Sequence, residues 1–204
     1  MNYLAHAYLS FHKPGILVGN MISDFVKGRV QFDFPERIQK GITLHRAIDE
    51  FTDFHPVTQV AKSYFRPAYR LYSGAFVDIM YDHFLALDEN EFATPGHLFN
   101  FADETYRLLN QETAFFPARF AGMYPYMKSQ NWLYNYRTEE GMRNSFAGLV
   151  RRAAYINDSS TAFDIFLKHY DALQTQYSLF FPELKSFVKS WLEEDERLSD
   201  TTSV

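Results

Sequence analysis

Three features of the chain point to an all-α, single-domain helical bundle. Apolar residues recur at helical spacing between prolines that suit helix starts, while alternating strand patterns and Asn-Gly or Asp-Gly hairpin turns are missing. The 204 residues are 47% hydrophobic and 18% aromatic, enough for one sizeable buried core and against disorder. No internal repeat appears.

Asn2 can cap a first helix that runs to about His12, where Lys13-Pro14-Gly15 forces a break. A second helix, GILVGNMISDFVKGR, continues to Gly28 and is apolar on much of its surface, which implies burial. Pro35 opens a third, from Glu36 to Phe54; Pro56 stops it or starts the next piece. Pro67 is expected to start a longer helix through Leu87, and Thr94-Pro95 to cap another reaching Gln111. Pro117 precedes an aromatic stretch ending near Tyr136, and Thr138-Glu139-Glu140 begins a further helix. Ser159 or Ser160 caps the last long one, with Pro182 as a candidate kink, and a frayed tail is expected over 198–204.

A net charge of -5 does not favour a nucleic-acid binder. With no cysteine, any metal must be held by His, Asp, Glu or water, and the composition suits a reducing cytoplasm. The N-terminus lacks the basic region of a signal peptide, and no run approaches the roughly 18 apolar residues of a membrane span. A soluble cytoplasmic protein without membrane association is expected.

The chemistry concentrates in the first 83 residues. His45, Asp49 and Asp53 fall four residues apart and form a line along one side of the third helix, bordered by apolar Ile42, Leu44, Ile48 and Phe51. Carboxylates beside a core are costly unless paired, protonated or bound to a cation. A divalent metal resolves that cost, and imidazole with carboxylate is a suitable ligand set. Arg46 resolves it too, by pairing with Asp49 or Glu50, so an amphipathic helix with internal ion pairs is the alternative.

Asp24 stands among apolar neighbours in the second helix. Asp78 and Asp82 share a face of the fifth, with His83 about 100° further round. His6, Asp24, His45, Asp49, Asp78, Asp82 and His83 thus come from four helices, each beside an apolar run. If they converge, their carboxylates need a multivalent cation to share one low-dielectric space. Taken singly, each fits a satisfied core histidine or a solvated acid; it is the set that points to metal. His12, His55, His97 and His169 read as surface or capping residues. No phosphate-cradling glycine loop, serine-hydrolase elbow or H-E-x-x-H appears.

The same residues carry a family likeness. Asn2-Tyr3-Leu4-Ala5-His6, the run from Gly19 to Gly28, Leu44-His45-Arg46-Ala47-Ile48-Asp49 with Thr52-Asp53, and Asp82-His83-Phe84 resemble the bacterial acyl carrier protein phosphodiesterases. The likeness resumes more weakly at Gln130-Asn131-Trp132-Leu133 with Tyr136-Arg137, and from His169 to Leu173. It implies a helical fold distantly related to the HD-domain phosphohydrolases. It also implies manganese-dependent cleavage of the phosphodiester between 4′-phosphopantetheine and a carrier-protein serine, releasing apo carrier protein. His6, Asp24, His45, Asp82 and His83 match the family's site positions. The chain has no His-Asp dipeptide; the pair occurs reversed as Asp82-His83, which leaves the ligand set open among His45, Asp49, Asp78, Asp82 and His83.

On that likeness, a divalent ion is expected on Asp24, His45, Asp82 and His83, with His6 and Asp78 as further ligands or supports. Asp24 would take part in the chemistry, and Arg46 and Lys27 would meet charge on the phosphate. Asp49 or Asp53 would orient His45. An acidic carrier protein would dock on basic residues, with Lys13, Lys27, Arg29 and Arg46 as candidates, while Arg151-Arg152 reads as solubilising charge. The aromatic segment from Trp132 to Tyr136 could line a pantetheine channel, but it reads as core. Two rival classes remain: a metal phosphohydrolase acting on a nucleotide or another small phosphoester, and a non-catalytic helical binding protein.

Overall fold

Prolines mark the starts of several helices in the computed structural model, which describes residues 1–201 apart from the side chains at 196 and 198–201. Eleven α-helices, and no strand, occur among the described residues. They are α1 (Tyr3–Tyr8), α2 (Pro14–Ile22), α3 (Glu36–Phe54), α4 (Pro56–Tyr69), α5 (Ser73–Leu87), α6 (Pro95–Gln111), α7 (Ala118–Ser129), α8 (Trp132–Asn135), α9 (Glu139–Arg152), α10 (Ser160–Lys168) and α11 (Tyr170–Thr201). Helix α11 continues past Leu198, where fraying is expected; 202–204 lie outside the described residues.

The sequence reading and the structure part where the backbone turns left-handed or unwinds. Helix α1 stops at Tyr8 and not near His12, because Phe11 and His12 take φ of 45° and 58°. Lys13, held extended by the following Pro14, then feeds α2. Helix α2 ends at Ile22, short of Gly28: Ser23–Phe25 forms a 3₁₀ turn and Val26 is extended. Pro67 starts no helix; it lies in the last turns of α4, and Arg70 at φ 48° makes the break before α5. The last long helix is divided at His169 into α10 and α11.

Helix α5 lies at the centre of the core. Phe76, Val77, Met80, Tyr81 and Phe84 are all buried, and their rings meet neighbours on four helices. Phe76 stacks on Phe65 of α4 at 5.8 Å and meets Phe146 of α9 edge-on at 5.2 Å; Tyr81 stacks on Phe180 of α11 at 4.9 Å; Phe84 meets Phe166 of α10. Such contacts add about 0.5–1.5 kcal/mol each beyond area burial.

Two glycines let α2 and α3 cross almost backbone to backbone. A Cβ on Gly19 would stand 2.1 Å from the Ile38 carbonyl oxygen, and one on Gly41 would stand 2.3 Å from that of Ile16. Any side chain there forces the helices apart. The crossing sets Asn20, one residue past Gly19, beside His45, one turn past Gly41, and so prepares the site.

Candidate metal centre

Each histidine of the centre is aimed by Asn20. His6 Nδ1 lies 2.8 Å from Asn20 Oδ1, and His45 Nδ1 lies 2.7 Å from the Asn20 backbone oxygen. Both partners are acceptors, so each Nδ1 carries a proton and each Nε2 is the nitrogen turned toward the centre. Asn20 Nδ2 in turn donates to the His6 carbonyl and to Ser10 Oγ, fixing its amide the right way round. The two imidazoles stack nearly parallel, centroids 3.9 Å apart.

Those Nε2 atoms face carboxylates. His6 Nε2 is 3.2 Å from Asp49 Oδ1; His45 Nε2 is 3.1 Å from Asp49 Oδ2 and 3.4 Å from Asp24 Oδ1. Yet neither buried Nε2 has an aligned hydrogen-bond partner. An Nε2 facing carboxylate oxygens needs either its own proton or a cation between them. The ligand atoms of His6, His45 and Asp49 all fall within 4.8 Å of one another, so this donor set fits a divalent metal.

Electrostatics agree with that fit. Burial and the neighbouring His45 charge pull His6 down to about 4. Burial also works against a charged His45, but the Asp24 and Asp49 carboxylates outweigh it and lift the imidazole to about 9. In the metal-free pair His6 is therefore neutral and His45 carries the one excess proton, on Nε2. Asp24 is held below the ordinary carboxylate range by the His45 imidazole beside it. Burial resists ionisation of Asp49, yet the Met1 ammonium, His45 and His6 together keep it far below that range. That ammonium bridges Asp49 Oδ1 at 3.2 Å and Asp78 Oδ1 at 3.0 Å.

The model of the acyl carrier protein phosphodiesterase family matches residues 1–184. The acyl carrier protein phosphodiesterase of Klebsiella pneumoniae subsp. pneumoniae is 32% identical over 184 residues, and those of Yersinia pestis and Escherichia coli are 30% identical. Each alignment covers 90% of this chain and 95% of the relative. The chain belongs to the acyl carrier protein phosphodiesterase family. No solved structure matches it.

The residues expected at an acyl carrier protein phosphodiesterase site divide into two groups. His6, Asp24 and His45 come together with Asp49, which the sequence reading leaves among the open ligand candidates and expects, with Asp53, to orient His45. Asp24 is not on a buried helix: its side chain is 66% exposed in the 3₁₀ turn, so it forms the open rim of the centre. Asp78 holds the Met1 ammonium, one step removed from the histidines.

Asp82 and His83 face elsewhere. Asp82 is fully buried and accepts the Leu4 and Ala5 amides at 2.7 and 3.1 Å, pinning the start of α1. Burial lifts its carboxyl to about 7 against those amides. His83, about 100° round α5, lies 2.7 Å from the Tyr136 carbonyl and 3.0 Å from the Tyr170 hydroxyl. Asp53 pairs with Lys62 at 2.7 Å, away from His45. His55 is a capping residue, as expected: it ends α3 and starts α4, half-buried against Phe51 and Phe180, and pairs with Glu183 at 3.2 Å.

Among the basic candidates, Arg46 reaches Gln31 Oε1 and the Val26 carbonyl, and Lys27 and Arg29 are exposed just after Asp24. Lys13 stands at the other end of α2, roughly 13 Å away along the axis. Asn20 is the residue that sequence reasoning missed. A lone amide in the apolar run from Ile16 to Ile22 is the signal that marks it.

Proposed function

We propose that the chain hydrolyses the phosphodiester joining 4′-phosphopantetheine to the serine of holo acyl carrier protein, with manganese as the metal and the cytoplasm as the setting. The observation that carries this is the pair of buried Nε2 atoms without an aligned hydrogen-bond partner, facing Asp49 beside an exposed Asp24, in a chain of this family. His6, His45 and Asp49 would hold the ion, with Asp24 closing the set at the rim. When bound, a divalent ion supplies Lewis acidity to the phosphoryl oxygens and acidifies water.

The chain's own groups do the rest. Asn20 keeps both imidazoles in the ligating tautomer, and Asp24, ionised and open to solvent, orients the attacking water. Water oxygen bonds to phosphorus, the bond from phosphorus to the serine oxygen breaks, and the proton given up by the water ends on that oxygen, leaving the serine hydroxyl and free 4′-phosphopantetheine. Arg46 and Lys27, on the rim beyond Val26, answer the charge of the phosphate. Asp78, Asp82 and His83 support the centre by holding the N-terminus, α1 and the Tyr136 carbonyl respectively.

Docking uses the segment after Asp24. The 3₁₀ stretch Gly28–Asp33 displays Val30 and Phe32, 52% and 61% exposed, beside Lys27 and Arg29, and Arg46 ties it to α3 through Gln31. Apolar side chains framed by cations suit an acidic helical partner; Lys13 adds a more distant cation. Holo carrier protein incubated with the protein and manganese should lose the mass of its prosthetic arm, and Asp24→Ala should cut that rate by about a hundredfold or more. Hydrolysis of nucleotides or aryl diesters with holo carrier protein untouched would overturn the assignment.

A further inference from the structure

A large concavity lies not over the metal centre but beside it. A cleft of about 870 Å³ runs between the start of α1 and the α8–α9 region, lined among others by Asn2, Tyr3, Asn131, Trp132, Asn144 and Arg152. That volume lies within the roughly 300–1,000 Å³ of small-molecule sites. Trp132, read from sequence as core, is only partly buried and forms a wall of the cleft, with its ring 6.4 Å from that of Tyr3.

The lining is unusual in its amides. Asn2 and Asn131 use their side-chain oxygens to cap α1 and α8, accepting from Tyr3 and Tyr134 amides, which leaves their NH₂ groups as donors. Asn131 holds a left-handed backbone, φ 45°, to do so. Asn144 and the Arg152 guanidinium add donors from α9. Such a lining recognises a slender ligand with carbonyls in series, and two aromatic rings offer apolar wall to its aliphatic parts.

The cleft also adjoins the centre. Asn2 follows Met1, whose amine is 3.2 Å from Asp49, and successive Cα atoms are about 3.8 Å apart. Tyr3, in the cleft wall, feels the charges of both Asp24 and Arg152.

We infer that this cleft receives the pantetheine arm, with its two amides on Asn131, Asn144 and Arg152 and its dimethyl group against Trp132 and Tyr3. The inference rests on the carrier-protein reading above and adds to it where the arm lies. It also separates the two ends of the substrate: the carrier protein docks on Lys27–Phe32, the phosphodiester sits at Asp24, and the arm turns the other way, under α9.

The test uses the full chain, labelled with ¹⁵N and titrated with pantetheine, which carries both amides and no phosphate. The Trp132 indole and the Asn131 and Asn144 side-chain amides should shift together. Gly148→Phe would fill the cleft: a Cβ at Gly148 meets only Arg152 Nη1 at 3.5 Å and Arg151 Nη2 at 3.7 Å, ordinary contacts that the helix tolerates. It should weaken pantetheine binding about tenfold or more with an unchanged thermal midpoint. Arg152→Gln, which adds no bulk, should weaken it several-fold. Shifts on another face, no shifts at all, or equal binding by both variants would overturn the inference. Release of the arm from holo carrier protein without these shifts would sink the cleft and leave the proposed function standing; shifts without release would do the reverse.

Discussion

Asn20 does the work of two residues. Its side-chain oxygen sets His6 and its backbone oxygen sets His45, so one buried amide decides which nitrogen of each ring is free. Replacing Asn20 by Leu keeps the volume and removes the side-chain partner of His6. Metal affinity should fall about 10–100-fold, read by manganese titration, with a stability loss of about 1–3 kcal/mol from the stranded His6 and Ser10 groups. Unchanged affinity would mean that the tautomer is set elsewhere. The same rings predict a proton count. His45 holds its proton to about 9 in the metal-free chain, above the ordinary 6.5. Its contribution to metal-free stability is therefore complete below about 6.5 and lost as pH rises through about 9. Metal must displace that proton, so calorimetry at pH 7 in buffers of different ionisation enthalpy should show about one proton released, fading above pH 9.

At the scale of elements, the centre depends on how closely α2 and α3 approach. Gly41→Ala should cost roughly 1–3 kcal/mol or more by urea unfolding and weaken metal binding, because a methyl 2.3 Å from the Ile16 oxygen must push His45 away from Asn20. Gly122 in α7 is the control: a Cβ there meets nothing within 4 Å, so Gly122→Ala should gain about 0.5–1 kcal/mol. The sequence shows much of this scale plainly. Pro35, Pro56 and Thr94-Pro95 mark helix starts where the structure has them, since a fixed φ and a missing N–H are local facts. The breaks at Phe11-His12 and Arg70 are not legible, because left-handed backbone at non-glycine residues is imposed by packing and leaves no residue signature. The line of His45 and Asp49 is readable from spacing alone. Grouping His83 with them fails on rotation: neighbours in sequence diverge by about 100° on a helix, and only tertiary contacts say which of Asp82 and His83 faces α1.

Across the whole molecule, 25 acidic and 20 basic residues give a net charge that repels an acidic partner at long range. Attraction must come from the short basic rim at Lys27 and Arg29, which salt screens readily. The kcat/KM for holo carrier protein should therefore fall about tenfold between low and physiological ionic strength in stopped-flow assays, while a small aryl diester should show little dependence; equal slopes would remove the rim from docking. Composition forecasts the class of fold and the absence of thiol ligands, but it is silent on where the cations lie.

The tie between Asp82 and the first amides of α1 has an effect on the order of events during synthesis. A six-residue helix is far below the roughly 12–15 residues that hold helical form alone in water. His6 is made well before Asp82, and the carboxylate that anchors its helix emerges only when the chain has grown past residue 82. Until then the nascent protein carries one imidazole of the candidate centre on an unanchored segment, so the centre can be assembled only late.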